Sequence, residues 1–286
     1  MITEFIGPDK RIDEISDGEV AALVASRRQK RIVRPSKTPK KDAPPQFVSN
    51  STINRTAVVP LKSVLVRARR TWKVPLPKEP NWKDHWQKMP EERVRELQPM
   101  EAEALDNSVR RDFADWFEFA RVTGLRRNET LLRWSNVNEI GRQIVTVGKR
   151  DRKVVTPITP TVKAILERCR GHHPEFVFTY VCKRPKGDQK KGGRYPITPE
   201  GAKTQWRRLS KRSGVTDFRF HDIRHDVATK VLRRTGKLPM VQKILSHANI
   251  ATTARYAHIL DEEVADALEE NAKSQKKSQI KTSRAA

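Results

Sequence analysis

The stretch from Phe218 to Arg234, FRFHDIRHDVATKVLRR, decides how this chain is read. Between His221 and Asp226 it packs two histidines, two aspartates and an arginine. On a helix, His221 and His225 share a face, and that spacing can ligate zinc. Arg224 lies between them in angle, and a fixed cation aimed into the site repels a dication. The acid of an HExxH pattern is also missing. Arginine and histidine together suit an anion: the guanidinium forks onto two oxygens, and the imidazole donates a further hydrogen bond. The segment is expected to hold phosphate, not metal. The plainer alternative is a helix with one satisfied histidine and surface charge.

The whole chain leans the same way. Its 286 residues carry 59 Lys and Arg against 34 Asp and Glu, a formal net charge of +25. A surplus this large argues for a polyanionic partner, DNA or RNA, because each neutralised phosphate releases counterions. A membrane surface is the rival polyanion, but no apolar run approaches a spanning length and no signal peptide opens the chain, so no membrane role is expected. Cys169 and Cys182 are too few for a disulfide framework or a zinc site. Both are expected to be reduced thiols in a cytoplasmic protein.

Periodicity suggests a mainly helical chain. Ile12, Ile15, Val20, Leu23 and Val24 mark a helix starting near Ser16 or Asp17. Residues 27–41 then hold eight basic side chains and no acid, an arm or a linker. Apolar positions at 53, 57, 61, 64, 65 and 68 form one stripe, with Arg55, Lys62, Arg67 and Arg69 mostly off it; Pro60 kinks this helix or begins another. Such a helix suits docking along a DNA backbone. Five prolines and three tryptophans in 71–99 read as a connection that still packs. One helix is expected from Met100 to about Val122, then a turn and another helix across TGLRRNETLLRWSNV. Residues 142–159 read as a hairpin. Further helices are expected at 160–169, 199–212, 221–235, 238–246 and 250–270, with a polar tail from Lys273.

Four segments, in order, resemble the tyrosine recombinases, also called the phage integrase family. HDIRH at 221–225 resembles that family's HxxR box. TGLRRNE at 123–129 resembles its first box, an arginine followed three residues later by an acid. LSHANIATTARYAHI at 245–259 resembles its last box, a histidine and, nine residues on, the nucleophilic tyrosine. VGKRDRKVVTP at 147–157 resembles the hairpin that carries its lysine.

The resemblance implies an α+β fold with a small antiparallel sheet. It implies a partial helical core-binding domain over 1–80 with its basic arm, a linker at 81–94, a catalytic domain over 95–260, and a C-terminal helix and tail over 261–286. Too few residues precede Ser51 for the family's usual four core-binding helices. The resemblance also implies Arg126 and Arg224 as the arginine pair, Lys149 as the hairpin lysine with Lys153 as its alternative, His221 and His247 as the histidines, Glu129 as the supporting acid and Tyr256 as the nucleophile. In that scheme Arg126 and Arg224 stabilise charge on the non-bridging oxygens. His221 accepts the proton of a phenol whose ordinary pKa is about 10. Lys149 protonates the leaving oxygen, and Arg55, Lys62, Arg67 and Arg69 hold DNA. No cofactor and no metal are needed. The implied partners are double-stranded DNA, further copies of the chain in a tetrameric synapse, and accessory DNA-bending factors. Two other readings stay open: a type IB topoisomerase-like enzyme, and a non-catalytic DNA-binding protein on this fold.

Overall fold

Ser16 starts the first long helix, as its sequence suggests. In the computed structural model, which describes residues 2–32, 45–90, 93–148 and 151–260 together with 264, 268, 269 and 273, the Glu19 carboxylate accepts the Ser16 backbone N–H at 3.0 Å and closes a capping box. Much of the basic arm, Lys149, and most of the expected terminal helix and tail lie outside the described residues. The chain divides into two compact units, Met1–Glu92 and Arg93–Ala286.

The first unit holds α1 (Ile2–Ile6), α2 (Asp17–Gln29), α3 (Asn50–Ile53), α4 (Val59–Arg70) and α5 (Trp82–His85). Between α3 and α4 the backbone widens into a π turn, Asn54–Val58, where the Val59 N–H reaches back five residues to the Asn54 carbonyl. Pro60 has no N–H to give to the regular ladder, so the widened turn sits where the sequence marks a kink or a new start. Ala57, Leu61 and Leu65 bury against Ile15, Val20 and Leu23. Residues 81–90, part of the expected linker, pack into this unit. Buried Asn54 exchanges two hydrogen bonds with the Gln87 backbone, at 2.9 and 2.8 Å, and His85 Nε2 lies 2.6 Å from the Asp17 carboxylate.

The second unit begins with α6 (Pro99–Ser108) and α7 (Ala114–Thr123). One continuous helix was expected here, and the break at 109–113 corrects that expectation. The side chains at the break serve a strand instead: the Asp112 carboxylate accepts the Val181 N–H at 2.6 Å, and Arg110 donates to the Val181 carbonyl at 3.1 Å. The apolar stripe survives because Leu105, Phe113, Trp116, Phe117 and Ala120 all enter one core. The helix expected after Gly124 is likewise replaced by turns and a short 3-10 segment, Trp134–Asn136. Local side chains compete for its backbone, with Thr130 Oγ1 donating to the Arg127 carbonyl at 2.6 Å.

Strands β1 (Val137–Asn138), β2 (Gln143–Val147) and β3 (Lys153–Pro157) form an antiparallel sheet in that order, with Val145 opposite Val155. Ile144, Thr146 and Val154 face inward. α8 (Pro160–Cys169), the hairpin β4 (Thr179–Val181) and β5 (Arg194–Pro196), α9 (Pro199–Ser213), α10 (Asp222–Thr235) and α11 (Leu238–Ile244) follow. Over 250–260 the expected α-helix is instead 3-10, in Ile250–Thr252 and Ala254–Leu260, and most of 261–270 lies outside the described residues. In a 3-10 turn, residues three apart eclipse one another, which buries Thr253 and Tyr256 on one edge. The architecture is mainly helical with small antiparallel sheets, as expected. Among the described residues no helix is long and apolar enough to cross a membrane.

Candidate active site

Gly124 ends α7 in the left-handed conformation at φ +63°, and a side chain there would meet Val227 at 3.1 Å. The chain turns at once into Arg126. Glu129 holds that arginine twice: its Oε2 accepts the Arg126 backbone N–H at 2.9 Å, and its Oε1 accepts from Nη1 at 2.8 Å. The Glu129 side chain is 3% exposed and that of Arg126 is 36% exposed, so the acid is fixed while the guanidinium reaches solvent.

Arg224, in the first turn of α10, is buried. Its Nη1 donates to the Gly124 carbonyl at 3.1 Å and its Nη2 to the Leu245 carbonyl. One guanidinium thus ties the turn that carries Arg126 to the turn that carries His247. Burial, and then the Arg126 charge, push the Arg224 pKa down to about 10, with Glu129 and Tyr256 opposing. Arg224 is still a cation at neutral pH. Two like charges held in one neighbourhood raise its energy, and an arriving anion would lower it.

His247 Nδ1 pairs with Thr253 Oγ1 at 2.9 Å, which leaves Nε2 as the nitrogen open to a ligand. Burial, then Arg224 and Arg126, push its pKa down to about 4. His221, at the start of α10, keeps an edge open to solvent; its pKa is also lowered, first by the loss of water on its packed side and then by Arg224 and Arg126.

Tyr256 is 1% exposed and packs with Ala228, Leu232, Val241 and Leu245. Its hydroxyl lies 2.7 Å from Nδ1 of His225, not on His221. The two histidine rings meet edge to face at 5.2 Å. His225, which is not among the histidines that the resemblance implies, is the group that meets the phenol. Burial, and then His221 and Arg255, push its pKa down to about 4. Arg255 also depresses Arg224, His221 and His247, so it belongs to the same electrostatic neighbourhood. No spacing links position 225 to position 256, 31 residues away. The signal for Arg255 was only its adjacency to Tyr256.

Lys149 lies outside the described residues, and Lys153 is exposed at the start of β3. In the first unit Arg55 and Lys62 are exposed, the Arg67 guanidinium sits 5.7 Å over the Trp72 ring, and Arg69 pairs with Glu79 at 2.6 Å. An exposed pair of that kind is worth about 0–1 kcal/mol and yields readily to a phosphate.

Two outcomes are expected from this geometry. Glu129→Gln keeps the shape but swaps one acceptor oxygen for a donor that faces Arg126; a loss of about 1–3 kcal/mol in stability follows, read as a lower melting midpoint. The second concerns pH. His225 and His247 bind protons more readily unfolded, near the ordinary value of about 6.5, than folded. Stability therefore rises with pH between about 4 and 6.5 and levels off above that window. The melting midpoint should fall from pH 7 to pH 4.5, and less steeply in His225→Asn.

The sequence profile of the Phage integrase family matches residues 89–263. The integrase of Salmonella phage P22 is 29% identical over 211 residues, covering 70% of this chain and 52% of that protein. The chain spans about half the length of the curated relatives it matches. Among solved structures, the XerH site-specific recombinase bound to its difH substrate in a pre-cleavage complex superposes with a TM-score of 0.57 at 19% identity, over 92% of this chain and 74% of that one. The Tn1549 transposon integrase in complex with circular intermediate DNA gives 0.60 at 15% identity, over 89% and 85%. This chain belongs to the phage integrase family of tyrosine recombinases.

Proposed function

We propose that this chain is a site-specific recombinase that cleaves and rejoins duplex DNA through a 3′-phosphotyrosyl link. The observation that carries the reading is the gathering, around the first turn of α10, of Arg126 with Glu129, Arg224, His247 and Tyr256 from separated segments. Arg126 and Arg224 take the non-bridging oxygens, where negative charge grows in the five-coordinate state. His247 adds a hydrogen bond through Nε2. The Tyr256 oxygen attacks phosphorus and loses its proton to the histidine pair, and the bond to the 5′ oxygen breaks. That oxygen takes a proton from the hairpin, from Lys149 or from Lys153. A 5′-hydroxyl of another strand then reverses the step, so the phosphodiester count is unchanged.

Tyr256 must leave its pocket to do this. Ring burial contributes about 1.5–3 kcal/mol and the His225 bond about 0.5–1.5 kcal/mol, so the exposed tyrosine is a minor state until DNA stabilises it. Duplex DNA and further copies of this chain are the partners, and Arg55, Lys62, Arg67 and Arg69 are assigned to the phosphate backbone. The test is covalent trapping: nicked duplex incubated with the protein should give a DNA-linked band on a denaturing gel. Relaxation of supercoils by isolated molecules, without strand exchange, would point to a topoisomerase instead.

A further inference from the structure

Gly148, the residue after β2, sits directly against the carboxylate that holds Arg126. A Cβ built there would lie 2.9 Å from Glu129 Oε1, 2.9 Å from Val154 Cγ2 and 3.4 Å from the Arg152 carbonyl. Oε1 is the oxygen that accepts Arg126 Nη1 at 2.8 Å. Neither neighbour has room to retreat. The Glu129 side chain is 3% exposed and fixed by its second bond, to the Arg126 backbone N–H. Val154 is 2% exposed within the sheet. The Gly148 backbone is itself fixed by donating to the Arg152 carbonyl at 2.7 Å. Its φ lies outside the left-handed range, so the backbone here does not demand glycine. The close approach does.

We infer that Gly148 is a positioning residue for Arg126: its missing side chain is the space in which the Glu129 carboxylate sets the guanidinium for the scissile phosphate. The inference rests on the recombinase reading. A methyl group at 148 pushes on the oxygen that orients Arg126 and leaves the other Arg126–Glu129 bond in place. A shift of about 1 Å in a charge-stabilising group lowers the rate by on the order of 10²-fold. Gly148→Ala should therefore slow cleavage by about 10- to 100-fold.

The experiment uses the full chain and a nicked duplex carrying the sequence recovered by covalent trapping of sheared genomic DNA on the wild-type protein. It is run with the ordinary scissile phosphate and with a methylphosphonate there, which carries no charge for Arg126 to offset. Gly148→Ala is expected to lose about 10- to 100-fold on the ordinary duplex and to come within about threefold of wild type on the methylphosphonate. Adding Val154→Ala, which opens the other side of the crowded position, should recover part of the loss. Equal loss on both duplexes, with or without Val154→Ala, would overturn the inference, since it would report a general disturbance of the hairpin. So would an undiminished rate on the ordinary duplex. If the wild type itself traps no DNA, the recombinase reading fails and this inference falls with it; wild-type cleavage together with an indifferent Gly148→Ala sinks the inference alone.

Discussion

Tyr256→Phe is expected to form no covalent protein–DNA adduct, at any incubation time, and to keep duplex affinity within about threefold of wild type. The ring stays in its pocket among Ala228, Leu232, Val241 and Leu245, so the fold persists. What disappears is the oxygen proposed to attack phosphorus. One further consequence separates this substitution from a silent one. The hydroxyl contacts His225 Nδ1 at 2.7 Å, and its removal leaves a buried ring nitrogen without that partner. A cost of about 1–3 kcal/mol is expected. For a unit of this size, each kcal/mol lowers the melting midpoint by about 2–4 °C. An adduct that survives the substitution would assign the nucleophile elsewhere; Tyr180 and Tyr195, the other two tyrosines, sit in the β4–β5 hairpin.

Arg224→Ala has the second large effect, on two quantities at once. Removing one positioned charge-stabilising donor costs about 10²–10³-fold in rate in comparable sites. Here the loss should reach or exceed the upper figure, because the same guanidinium ties the turn at Gly124 to the turn at Leu245. Its absence leaves two carbonyls short of a partner, and stability falls by a few kcal/mol, of the order of 1–3 for each. DNA affinity should change little, since the net charge of +25 leaves many other cations to neutralise phosphates. Arg224→Lys separates the two roles. Lysine keeps the charge, but its single ammonium does not reproduce the planar fork. It should restore part of the rate and little of the stability, and cleavage kinetics beside thermal melting check both. A Lys variant as fast and as stable as wild type would contradict the bridging role.

Much of the candidate site's local arrangement was legible in the sequence because it rests on residue types at short spacings. Arg126 and Glu129 are three residues apart and meet through a local turn. His221 is the residue just before α10, and Arg224 lies in its first turn. The helices at 160–169 and 199–213 announced themselves by periodicity, and each has a threonine cap, Thr159 and Thr198. The breaks were not legible. Nothing near Arg110 says that its guanidinium, with Asp112, will hold Val181 some 70 residues away. The helix interrupted there had every local reason to continue. The 3-10 turn that buries Tyr256 depends on α10 covering it, a contact no local pattern encodes. For the same reason the sequence does not single out His225 as the partner of the phenol: Tyr256 lies on another segment, and only the fold brings the two together.

The central claim is that Tyr256 becomes joined to a DNA 3′-phosphate. Mass spectrometry of nuclease- and protease-digested adduct tests it most directly. The account predicts a nucleotide attached through its 3′-phosphate to the peptide that contains Tyr256. Attachment to any other residue, or through a 5′-phosphate, would contradict it.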